Sequence, residues 1–386
     1  MKSMFFFFAF VLVFMILIGV YIYFRIRPLL AESGTLKGIL LRVCFVLVFF
    51  SFIIGFLLER GGFYALSSPF TYIGSWVLAA IMYFMIVFVL IDFFRIINAF
   101  TFKADILSFK YVFGDEKAKM YSLVSCIIVA VVLICGYFNA KFPVLKTIEY
   151  KTEKAITQNF RFVLISDVHL GMINCESFMS RLKDRINAEN PDFVVIAGDF
   201  FDGDPYPVIN SKVGEILQEI KTGCGIYAVN GNHEWLGNAN LADEFLQKHG
   251  VIVLRDSVAK LPFNCYVVGR EDISQKLHSK MKRKPLEELM QAVDTNAFSI
   301  VLDHQPPKHY EEEEKAAPDL ELSGHTHAGA QLWPLFLITK RIYENDYGFI
   351  RKGKSDFYTT SGYGTWGPPI RTSARPEMVV FEVSKK

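Results

Sequence analysis

The chain has 386 residues, more than one average domain needs, and 52% of them are hydrophobic. Its mean hydropathy of +0.29 is too high for an ordinary soluble enzyme of this length. Its net charge of +2 does not indicate a nucleic-acid partner, because domains that bind nucleic acids usually carry a basic stripe. We therefore expect part of the chain to lie in a lipid bilayer, and we expect no nucleic-acid partner.

Four apolar segments precede residue 142, and each is about long enough to cross a hydrocarbon layer of roughly 30 Å as a helix. The predicted spans are 4–24, 38–58, 72–91 and 121–140. A cleaved signal peptide is the alternative for the first segment, but its apolar core is too long and further spans follow. No ionisable residue lies deep in a predicted span, so residues 1–141 are predicted to form a transmembrane anchor rather than a channel.

Lysine and arginine gather in the first and third links between the spans, whereas the second link contains only Arg60. These cations are Arg25, Arg27, Lys37 and Arg42 in the first link, and Arg95, Lys103, Lys110, Lys117 and Lys119 in the third. Cytoplasmic links carry an excess of such cations, so the chain after Ala140 is predicted to be extracytoplasmic. Four lysines that follow the last span oppose this orientation, namely Lys141, Lys146, Lys151 and Lys154.

Beyond a predicted linker at 142–160, short apolar runs of strand length alternate with helical or loop segments. The runs are Phe162–Ile165, Phe193–Ala197, Gly225–Val229, Tyr266–Val268, Phe298–Leu302 and Leu320–Leu322. Their Val and Ile content is typical of strands covered on both faces, so residues 161–386 are predicted to form an α/β domain. Phe357–Thr360 and Met378–Val383 follow without long helices between them, which predicts a second, more antiparallel sheet.

Five of these runs end in residues whose side chains bind metals. The residues are Asp167 and His169, Asp199, Asn232, His304, and His325 and His327. In open α/β sheets the carboxyl ends of the strands meet at one crevice, so these side chains are predicted to meet in one pocket. No cysteine belongs to the set, which excludes a structural zinc site of the thiolate type.

Each piece has an ordinary explanation when it is taken alone. Gly198-Asp199 is usually a turn, Asn232 alone could be a helix cap, and His304 is more often a hydrogen-bonded histidine at a strand end. Gly324-His325-Thr326-His327 is the strongest local signal, because residues two apart in an extended chain point the same way. Five such pieces, each at a strand end, are not explained as independent accidents. We therefore interpret them as one metal site.

Together these motifs resemble those of the calcineurin-like metallophosphoesterase superfamily. The series is Asp167-x-His169, Gly198-Asp199-x-x-Asp202, Gly231-Asn232-His233-Glu234, His304 and Gly324-His325-x-His327. Pro368-Pro369-Ile370-Arg371 near the end resembles the YkuE/YaeI-like branch of that superfamily. The resemblance covers about residues 161–383 and implies an α/β sandwich of two mixed sheets flanked by helices.

The resemblance also implies roles for individual residues. Asp167, His169 and His327 would hold one metal, and Asn232, His304 and His325 would hold a second. Asp199 would bridge both metals. His233 would bind no metal; it would stabilise charge on the scissile phosphate and protonate the leaving group.

The chain departs from the family pattern near its last motif, where one extra residue separates His327 from Gln331 and puts a substrate contact from Gln331 in doubt. Glu234 stands where many members have Asp. Asp202 is expected either to lie just outside the ligands or to cap a loop. Arg371 is expected either to reach the substrate or to form a structural salt bridge, and the salt bridge is favoured.

Hydrolysis of a phosphoester requires neutralisation of negative charge and a nucleophile that forms at neutral pH. Two divalent ions about 4 Å apart provide both, because they lower the pKa of a bridging water. Imidazole, carboxylate and amide ligands suit Mn²⁺, Fe or Zn²⁺, and we favour Mn²⁺. Histidine has an ordinary pKa near 6.5, which suits His233 to donate a proton at neutral pH.

The sequence therefore predicts a membrane-anchored, binuclear metal-dependent phosphoesterase. It would hydrolyse phosphomonoesters or phosphodiesters by attack of a metal-bridging hydroxide, and lipid- or envelope-linked substrates would suit a site held near the bilayer. A nuclease or nucleotide phosphodiesterase is the alternative, but it would carry a basic groove that the sequence does not show. A non-catalytic membrane receptor with the same fold would be expected to have lost ligands, and none is missing.

Overall fold

The computed structural model describes residues 2–30, 35–102, 116–279 and 281–386, with side chains described for 13–30, 35–97, 118–279 and 281–386. The chain divides into two compact units, Met1–Cys135 and Gly136–Lys386. The described residues of the first unit are helical apart from short connections, and the second unit contains two β-sheets.

Apolar helices make up the first unit. They are α1 (Lys2–Ile26), followed by a 3-10 turn (Arg27–Leu29), α2 (Leu36–Phe49), α3 (Ser51–Arg60), α4 (Tyr64–Phe102) and α5 (Glu116–Lys141), whose last residues belong to the second unit. Within the described residues, two segments are long and apolar enough to cross a membrane, namely Tyr64–Ile97 and Ala118–Lys141. The pair α2 and α3 is bent by 51° and would form a third span if it is counted as one.

The third and fourth predicted spans, 72–91 and 121–140, lie within these two long segments. The second, 38–58, falls on the bent pair, where Phe50 separates the two helices. The first, 4–24, lies within α1, but the side chains of its residues 4–12 are outside the described part of the chain. Lys103 and Lys110 also lie outside the described residues. The four-span anchor and its orientation therefore remain predictions.

An ionisable residue lies inside the longer candidate span, which was not expected from the sequence. Asp92 accepts hydrogen bonds from the Tyr21 hydroxyl at 2.7 Å and from Arg95 at 3.1 Å, and it also pairs with Arg25 of α1. The prediction missed Asp92 because the uncharged run ends at Ile91, whereas the helix continues past it. A carboxylate paired with two arginines has its charge compensated, which suits an anchor rather than an ion path.

The described residues of the second unit form two mixed six-stranded sheets. The strands are β1 (Val144–Thr152), β2 (Phe160–Ile165), β3 (Phe193–Ala197), β4 (Ile226–Val229), β5 (Val251–Val253), β6 (Ser257–Leu261), β7 (Cys265–Gly269), β8 (Phe298–Leu302), β9 (Leu320–Ser323), β10 (Gly348–Lys352), β11 (Ser355–Thr359) and β12 (Glu377–Lys385). The first sheet has the order β1-β12-β2-β3-β4-β5, and the second has the order β10-β11-β9-β8-β7-β6. Pairing is antiparallel between β12 and β2, β6 and β7, and β10 and β11, and parallel elsewhere.

Short helices connect the strands. They are α6 (Glu176–Ala188), α7 (Tyr206–Ile209), α8 (Val213–Gln218), α9 (Asn232–Leu236), α10 (Ala239–Lys248), α11 (Gln275–His278), α12 (Leu286–Met290), α13 (Glu311–Ala316) and α14 (Phe336–Ile342). His327–Ala330 forms a tight turn whose backbone angles at Ala328 and Gly329 are not helical.

The two sheets pack face to face. Alternate residues of each strand point to opposite faces of its sheet, so each strand contributes to two different cores. Phe162 and Leu164 of β2 belong to a core cluster that includes residues of both sheets. Val163 and Ile165 point the other way, into a cluster with α6, α8 and α10. On the far side, Leu286 of α12 is part of a cluster with the second sheet. The unit is therefore a helix–sheet–sheet–helix sandwich, which confirms the predicted α/β class.

All eight predicted runs are strands, and β3 and β8 have the predicted bounds. The predicted second sheet is present and has two antiparallel pairs against one in the first sheet, but the prediction that the strands after His327 form it is wrong. β12 returns to the first sheet beside β2, and β11 adds to the second sheet in parallel with β9. The error arose because a short apolar run indicates a strand but does not indicate which strand it pairs with.

β1 lies within the residues predicted to be a linker. Its side chains alternate between half-buried and exposed positions, and it pairs in parallel with β12 at the edge of the first sheet. Ile148 and Tyr150 pack against the core between the sheets. Only Phe142 and Pro143 separate β1 from the end of α5, so the sandwich begins directly after that helix.

Candidate metal centre

The seven side chains predicted to bind metals meet where the carboxyl ends of strands from both sheets adjoin. Asp167 and His169 follow β2, Asp199 follows β3 and Asn232 follows β4 in the first sheet, while His304 follows β8 and His325 and His327 follow β9 in the second. The site is therefore built by two sheets, and the convergence expected from the strand ends is present.

The first group consists of Asp167, His169 and His327, which offer ligand atoms that all lie within 4.8 Å of one another. Nε2 of His169 and Nε2 of His327 are 3.1 Å apart, and Nε2 of His327 lies 3.4 Å from Oδ1 of Asp167. All three side chains are buried. One carboxylate and two imidazoles directed at a common point are a suitable donor set for a divalent transition metal.

The second group consists of Asp199, His304 and His325, whose ligand atoms also lie within 4.8 Å of one another. Nε2 of His304 is 3.1 Å from Oδ2 of Asp199 and 3.1 Å from Oδ1 of Asn232. The amide oxygen of Asn232 thus adds a fourth donor beside the carboxylate and the two imidazoles. This set also suits a divalent cation.

Asp199 lies between the two groups. Its Oδ2 atom is 3.1 Å from Nε2 of His304 in the second group and 3.9 Å from Nε2 of His169 in the first. Its other oxygen, Oδ1, accepts a hydrogen bond of 2.8 Å from the backbone N–H of His233. One oxygen of Asp199 is therefore anchored to the backbone while the other faces both groups.

The backbone at the site is strained. Asp167, His169, Asp199, His325 and His327 all have φ between 49° and 68°, a region that costs roughly 1–3 kcal/mol for residues other than glycine. Such strain persists where the surrounding structure holds it, and it concentrates at functional sites. The extended chain assumed for Gly324–His327 is wrong, and the left-handed turns direct His325 and His327 into different groups.

Glycines in the motifs allow strand ends to approach closely. A Cβ atom at Gly231 would clash with the side chain of Asp199, and a Cβ atom at Gly324 would clash with Ser166 and Asp167. Both positions therefore require glycine for a steric reason, and each brings candidate ligands from two different strands together.

Contacts behind the rings orient two of the imidazoles. Nδ1 of His304 donates to the backbone oxygen of Ala197 at 2.8 Å, because a carbonyl can only accept. Nδ1 of His169 lies 3.3 Å from Oδ1 of Asp202. The hydrogen bond fixes the tautomer of His304 and leaves its Nε2 lone pair free for a cation. Nδ1 of His169 is buried without a hydrogen bond of normal geometry, so Asp202 acts on that ring through its charge at 3.3 Å. Both rings therefore fit the role of metal ligands.

Arg371 is fully buried and has neither of the two predicted roles. Its guanidinium donates to the backbone oxygens of Ser361 and Gly364, each at 2.6 Å, and its Nη2 atom lies 2.9 Å from Nδ1 of His327. It forms no salt bridge with any described carboxylate, and burial keeps it from a substrate. A guanidinium only donates, so Nδ1 of His327 accepts, and the neutral ring carries a proton on Nε2 that a cation would displace.

His233 lies beside both groups and remains partly exposed. Its ring centre is 4.6 Å from that of His169, and one of its nitrogens lies within 4.8 Å of the ligand atoms of His169 and Asp199. Burial lowers the pKa of His233, but the negative charges of Asp199 and Asp202 outweigh burial and raise it to about 9 for the protein groups alone. The ring therefore favours the protonated form.

Asp202 contacts two imidazoles at once, which decides between its two predicted roles. Its Oδ1 atom lies 3.3 Å from Nδ1 of His169 and 3.3 Å from Nδ1 of His233. Burial raises the pKa of Asp202, but its contacts with the imidazoles of His169 and His233 outweigh burial and lower it to about 2. The ionised carboxylate thus lies behind the candidate ligands and contacts both rings.

Glu234 has a structural role that sequence reasoning missed. Its buried carboxylate accepts from the backbone N–H groups of Gly231 at 2.7 Å, Asp199 at 3.1 Å and Phe201 at 2.9 Å. It therefore ties the segment that carries Asn232 to the strand end that carries Asp199. The sequence signal for this role was the spacing of Gly231 and Glu234 at the start of a short helix. A glutamate three residues after the residue that precedes such a helix can bond the backbone N–H at the helix start.

Gln331 is buried, and its amide bonds the backbone of the loop that follows β11. It donates to the oxygens of Trp366 at 2.8 Å and Pro368 at 3.1 Å, and it accepts from the N–H of Trp366 at 3.2 Å. Both the nitrogen and the oxygen of the Gln331 amide are therefore hydrogen-bonded within the protein. The loop in turn presents the ring of Trp366 at 6.3 Å from that of His233.

The charges at the site favour cations. Burial opposes ionisation of Asp199, but the positive charges of His304 and His233 hold its pKa well below the usual range. Burial lowers the pKa of His325 to about 3, and burial together with Arg371 holds the pKa of His327 well below its ordinary value. At neutral pH the carboxylate is ionised and these two imidazoles are neutral, which are the charge states of metal ligands, and His327 must in addition release its Nε2 proton to bind a cation there.

Comparison with known proteins gives one consistent result. A family model described as calcineurin-like phosphoesterase matches residues 160–329, a range that contains all seven side chains and His233. An uncharacterized metallophosphoesterase of Aquifex aeolicus is 30% identical over 259 residues, which are 66% of this chain and 98% of that protein. One from Campylobacter jejuni is 30% identical over 284 residues, which are 70% of this chain and 74% of that protein.

A relative from Danio rerio bears the name transmembrane protein with metallophosphoesterase domain. It is 31% identical over 277 residues, which are 67% of this chain and 61% of that protein.

Proposed function

Because this chain belongs to the calcineurin-like phosphoesterase family and is a metal-dependent phosphoesterase, we propose that its seven clustered side chains hold two divalent cations and that it acts at a membrane surface. The first cation would be held by Asp167, His169 and His327, and the second by Asn232, His304 and His325. Asp199 would be shared between them. The observation that carries this proposal is the position of the Asp199 Oδ2 atom, which faces ligand nitrogens of both groups.

The donor set suits Mn²⁺, with Fe and Zn²⁺ as the other candidates, because imidazole, carboxylate and amide donors are combined without thiolate. When bound, two such ions supply a nucleophile at neutral pH and neutralise the charge of the phosphoryl group. The protein fixes the geometry of the site. The N–H of His233 and the carboxylate of Glu234 hold Asp199 from behind, so its free oxygen stays directed at both groups.

His233 is the proposed catalytic acid. It is partly exposed, whereas the ligand histidines of the first group are buried, so a substrate can reach it. Its raised pKa keeps the ring protonated, and the proton would pass from the imidazole to the oxygen of the departing group. Oδ1 of Asp202 lies 3.3 Å from Nδ1 of the same ring, which would leave Nε2 as the donor atom toward the substrate.

The apolar helices support a membrane anchor with the catalytic unit on one side. The segments Tyr64–Ile97 and Ala118–Lys141 are each long enough to span, and β1 begins directly after the second of them. We propose a multi-pass anchor with the catalytic unit on the extracytoplasmic side, as the distribution of Lys and Arg indicates. A site held close to a bilayer suits phosphoesters of lipid- or envelope-linked molecules. Membership of the YkuE/YaeI-like branch likewise remains a proposal from the sequence.

The test uses the full chain in detergent or nanodiscs, with bis-p-nitrophenyl phosphate and p-nitrophenyl phosphate as substrates. We expect release of p-nitrophenolate with Mn²⁺ and none after chelation. Asp199→Asn should abolish release, while Glu287→Gln, an exposed carboxylate on α12, should leave it unchanged. Release that persists in the Asp199→Asn protein, or that does not depend on metal, would refute the proposed site.

A further inference from the structure

A surface of exposed apolar side chains lies next to the metal centre. It consists of Trp333 and three residues of α14, Leu337, Ile338 and Ile342, which are 49%, 55%, 56% and 44% exposed. We refer to these four residues as the α14 ledge. Soluble proteins rarely expose large apolar side chains next to one another, and exposed apolar patches of this kind mark sites of contact with proteins or membranes.

The composition of the ledge fits a bilayer surface. The inner side of α14 is held by Thr339, which is buried, and the helix is followed by the buried Tyr343. Lys340 and Arg341 lie on the same helix as the exposed apolar residues. Tryptophan, large aliphatic side chains and cations together are typical of helices that lie in a membrane interface and contact anionic headgroups.

Hydrogen bonds join the ledge to the end of the helix that leaves the membrane. The N–H of Trp333 donates to the hydroxyl of Thr372 at 2.9 Å. The neighbouring N–H of Arg371 donates to the backbone oxygen of Gly136, and the amide of Asn139 donates to the backbone oxygen of Arg371, each at 2.9 Å. Gly136 and Asn139 belong to the last turns of α5 and to the same compact unit as the ledge.

These contacts set the height of the ledge relative to the membrane. The candidate span Ala118–Lys141 has 24 residues, which makes it about 36 Å long, against a hydrocarbon thickness of roughly 30 Å. Gly136 lies five residues before the end of that span, or about 8 Å along the axis. A centred span extends about 3 Å beyond each boundary, so Gly136 lies about 5 Å inside the boundary between acyl chains and headgroups. A loop bonded to Gly136 is therefore near that boundary, and Trp333 is one hydrogen bond away from the loop.

The ledge also adjoins the metal centre. The ring of Tyr343, directly after α14, is 5.9 Å from that of His325. The ring centre of Trp366, which is 44% exposed, lies 6.3 Å from that of His233. The backbone oxygen of Trp366 accepts from the amide of Gln331, which precedes Trp333 by two residues. The ledge thus lies beside residues that flank the centre.

We propose that the α14 ledge inserts into the lipid interface and holds the catalytic unit against the bilayer that its own helix crosses. The occupant of this surface is the lipid bilayer rather than a second protein, because the ledge is bonded to a loop near the boundary between acyl chains and headgroups. The metal centre would then meet phosphoester groups presented at that surface. This inference rests on the proposed membrane anchor and does not require hydrolysis.

Photocrosslinking in nanodiscs of phosphatidylethanolamine and phosphatidylglycerol tests the ledge. Benzoylphenylalanine would be placed in the full chain at Ile338 of the ledge, at Ile134 of the span or at Ile252. Ile252 is the matched control, because it is 44% exposed on β5, at the edge of the first sheet opposite to β1. Lipid adducts would be counted by mass spectrometry after irradiation.

We expect adduct yields at Ile338 close to those at Ile134, and background yields at Ile252. Adducts at Ile134 without adducts at Ile338 would refute the ledge and leave the anchor standing. Absence of adducts at both positions would refute the anchor and the ledge together. An inactive protein that still crosslinks at Ile338 would refute the proposed activity but not this inference.

Discussion

The Oδ1 atom of Asp202 lies 3.3 Å from Nδ1 of His233, and the same oxygen is equally close to Nδ1 of His169. One carboxylate therefore orients a proposed metal ligand and the proposed catalytic acid. Asp202→Asn is expected to lower kcat by about 10- to 100-fold, the usual effect of losing a group that orients a ligand. The control is Asp204→Asn, whose side chain caps the N–H of Tyr206 instead.

The pH profile separates this positioning role from a purely structural one. Asp202 contributes to the raised pKa of His233, so its loss should lower that pKa. The acid must be protonated to act, and the alkaline limb of the kcat profile is therefore expected to move to lower pH in Asp202→Asn. A reduced rate with an unmoved alkaline limb would contradict this role.

His233→Gln should affect substrates according to their leaving groups. A general acid contributes about 10²- to 10⁴-fold when the departing oxygen needs a proton, and less when it leaves readily as an anion. We expect a larger loss of kcat for an alkyl phosphoester than for the p-nitrophenyl ester, with an unchanged metal content. Equal losses for both esters, or loss of bound metal, would mean that His233 serves as a ligand instead.

Metal affinity should depend on pH through His304. Burial lowers the pKa of His304, but the carboxylate of Asp199 outweighs burial and raises it well above the ordinary value. The proton on His304 therefore competes with a cation, and affinity should fall as pH falls, by roughly tenfold per pH unit for one displaced proton. Mn²⁺ titrations at several pH values would measure the slope, which the exposed His309→Gln control should share. An affinity independent of pH would contradict this account.

Arg371→Met should destabilise the fold near the metal centre. It removes the donors that satisfy the buried oxygens of Ser361 and Gly364, and each unpaired group costs about 1–3 kcal/mol. The ring of His327 also loses its partner at Nδ1. Arg351→Met, at a side chain that is 70% exposed, is the control and should change stability by less than about 0.5 kcal/mol. Chemical denaturation of the full chain would measure the free energy of unfolding of each variant. Equal values for Arg371→Met and the parent would contradict the structural role of Arg371.

The strands and the clustering of the candidate ligand residues could be predicted from the sequence because both follow local rules. Apolar runs such as Phe193–Ala197 and Phe298–Leu302 indicate buried strands, and polar residues directly after them indicate the crevice at the strand ends. The convergence of Asp199 and His304 followed from that rule, although more than a hundred residues separate them.

The remaining features depend on long-range packing. Nothing local in Met378–Val383 shows that this strand returns to β2, since pairing is settled by the whole sandwich. A fully buried arginine such as Arg371 is rare, and its partners are backbone oxygens that carry no sequence signal. The left-handed backbone at His325 and His327 is likewise imposed by the surrounding turns, and it overturned the extended geometry expected for that motif.

The central claim is that Asp199 is shared by two cations, and electron paramagnetic resonance of the Mn²⁺-loaded full chain tests it most directly. The two groups and the shared oxygen predict two ions per chain with the broad spectrum of an exchange-coupled pair. Asp199→Asn should convert that spectrum to the sharp hyperfine lines of isolated ions or remove it. Two uncoupled ions in the parent chain, or a coupled pair that survives in Asp199→Asn, would contradict the claim.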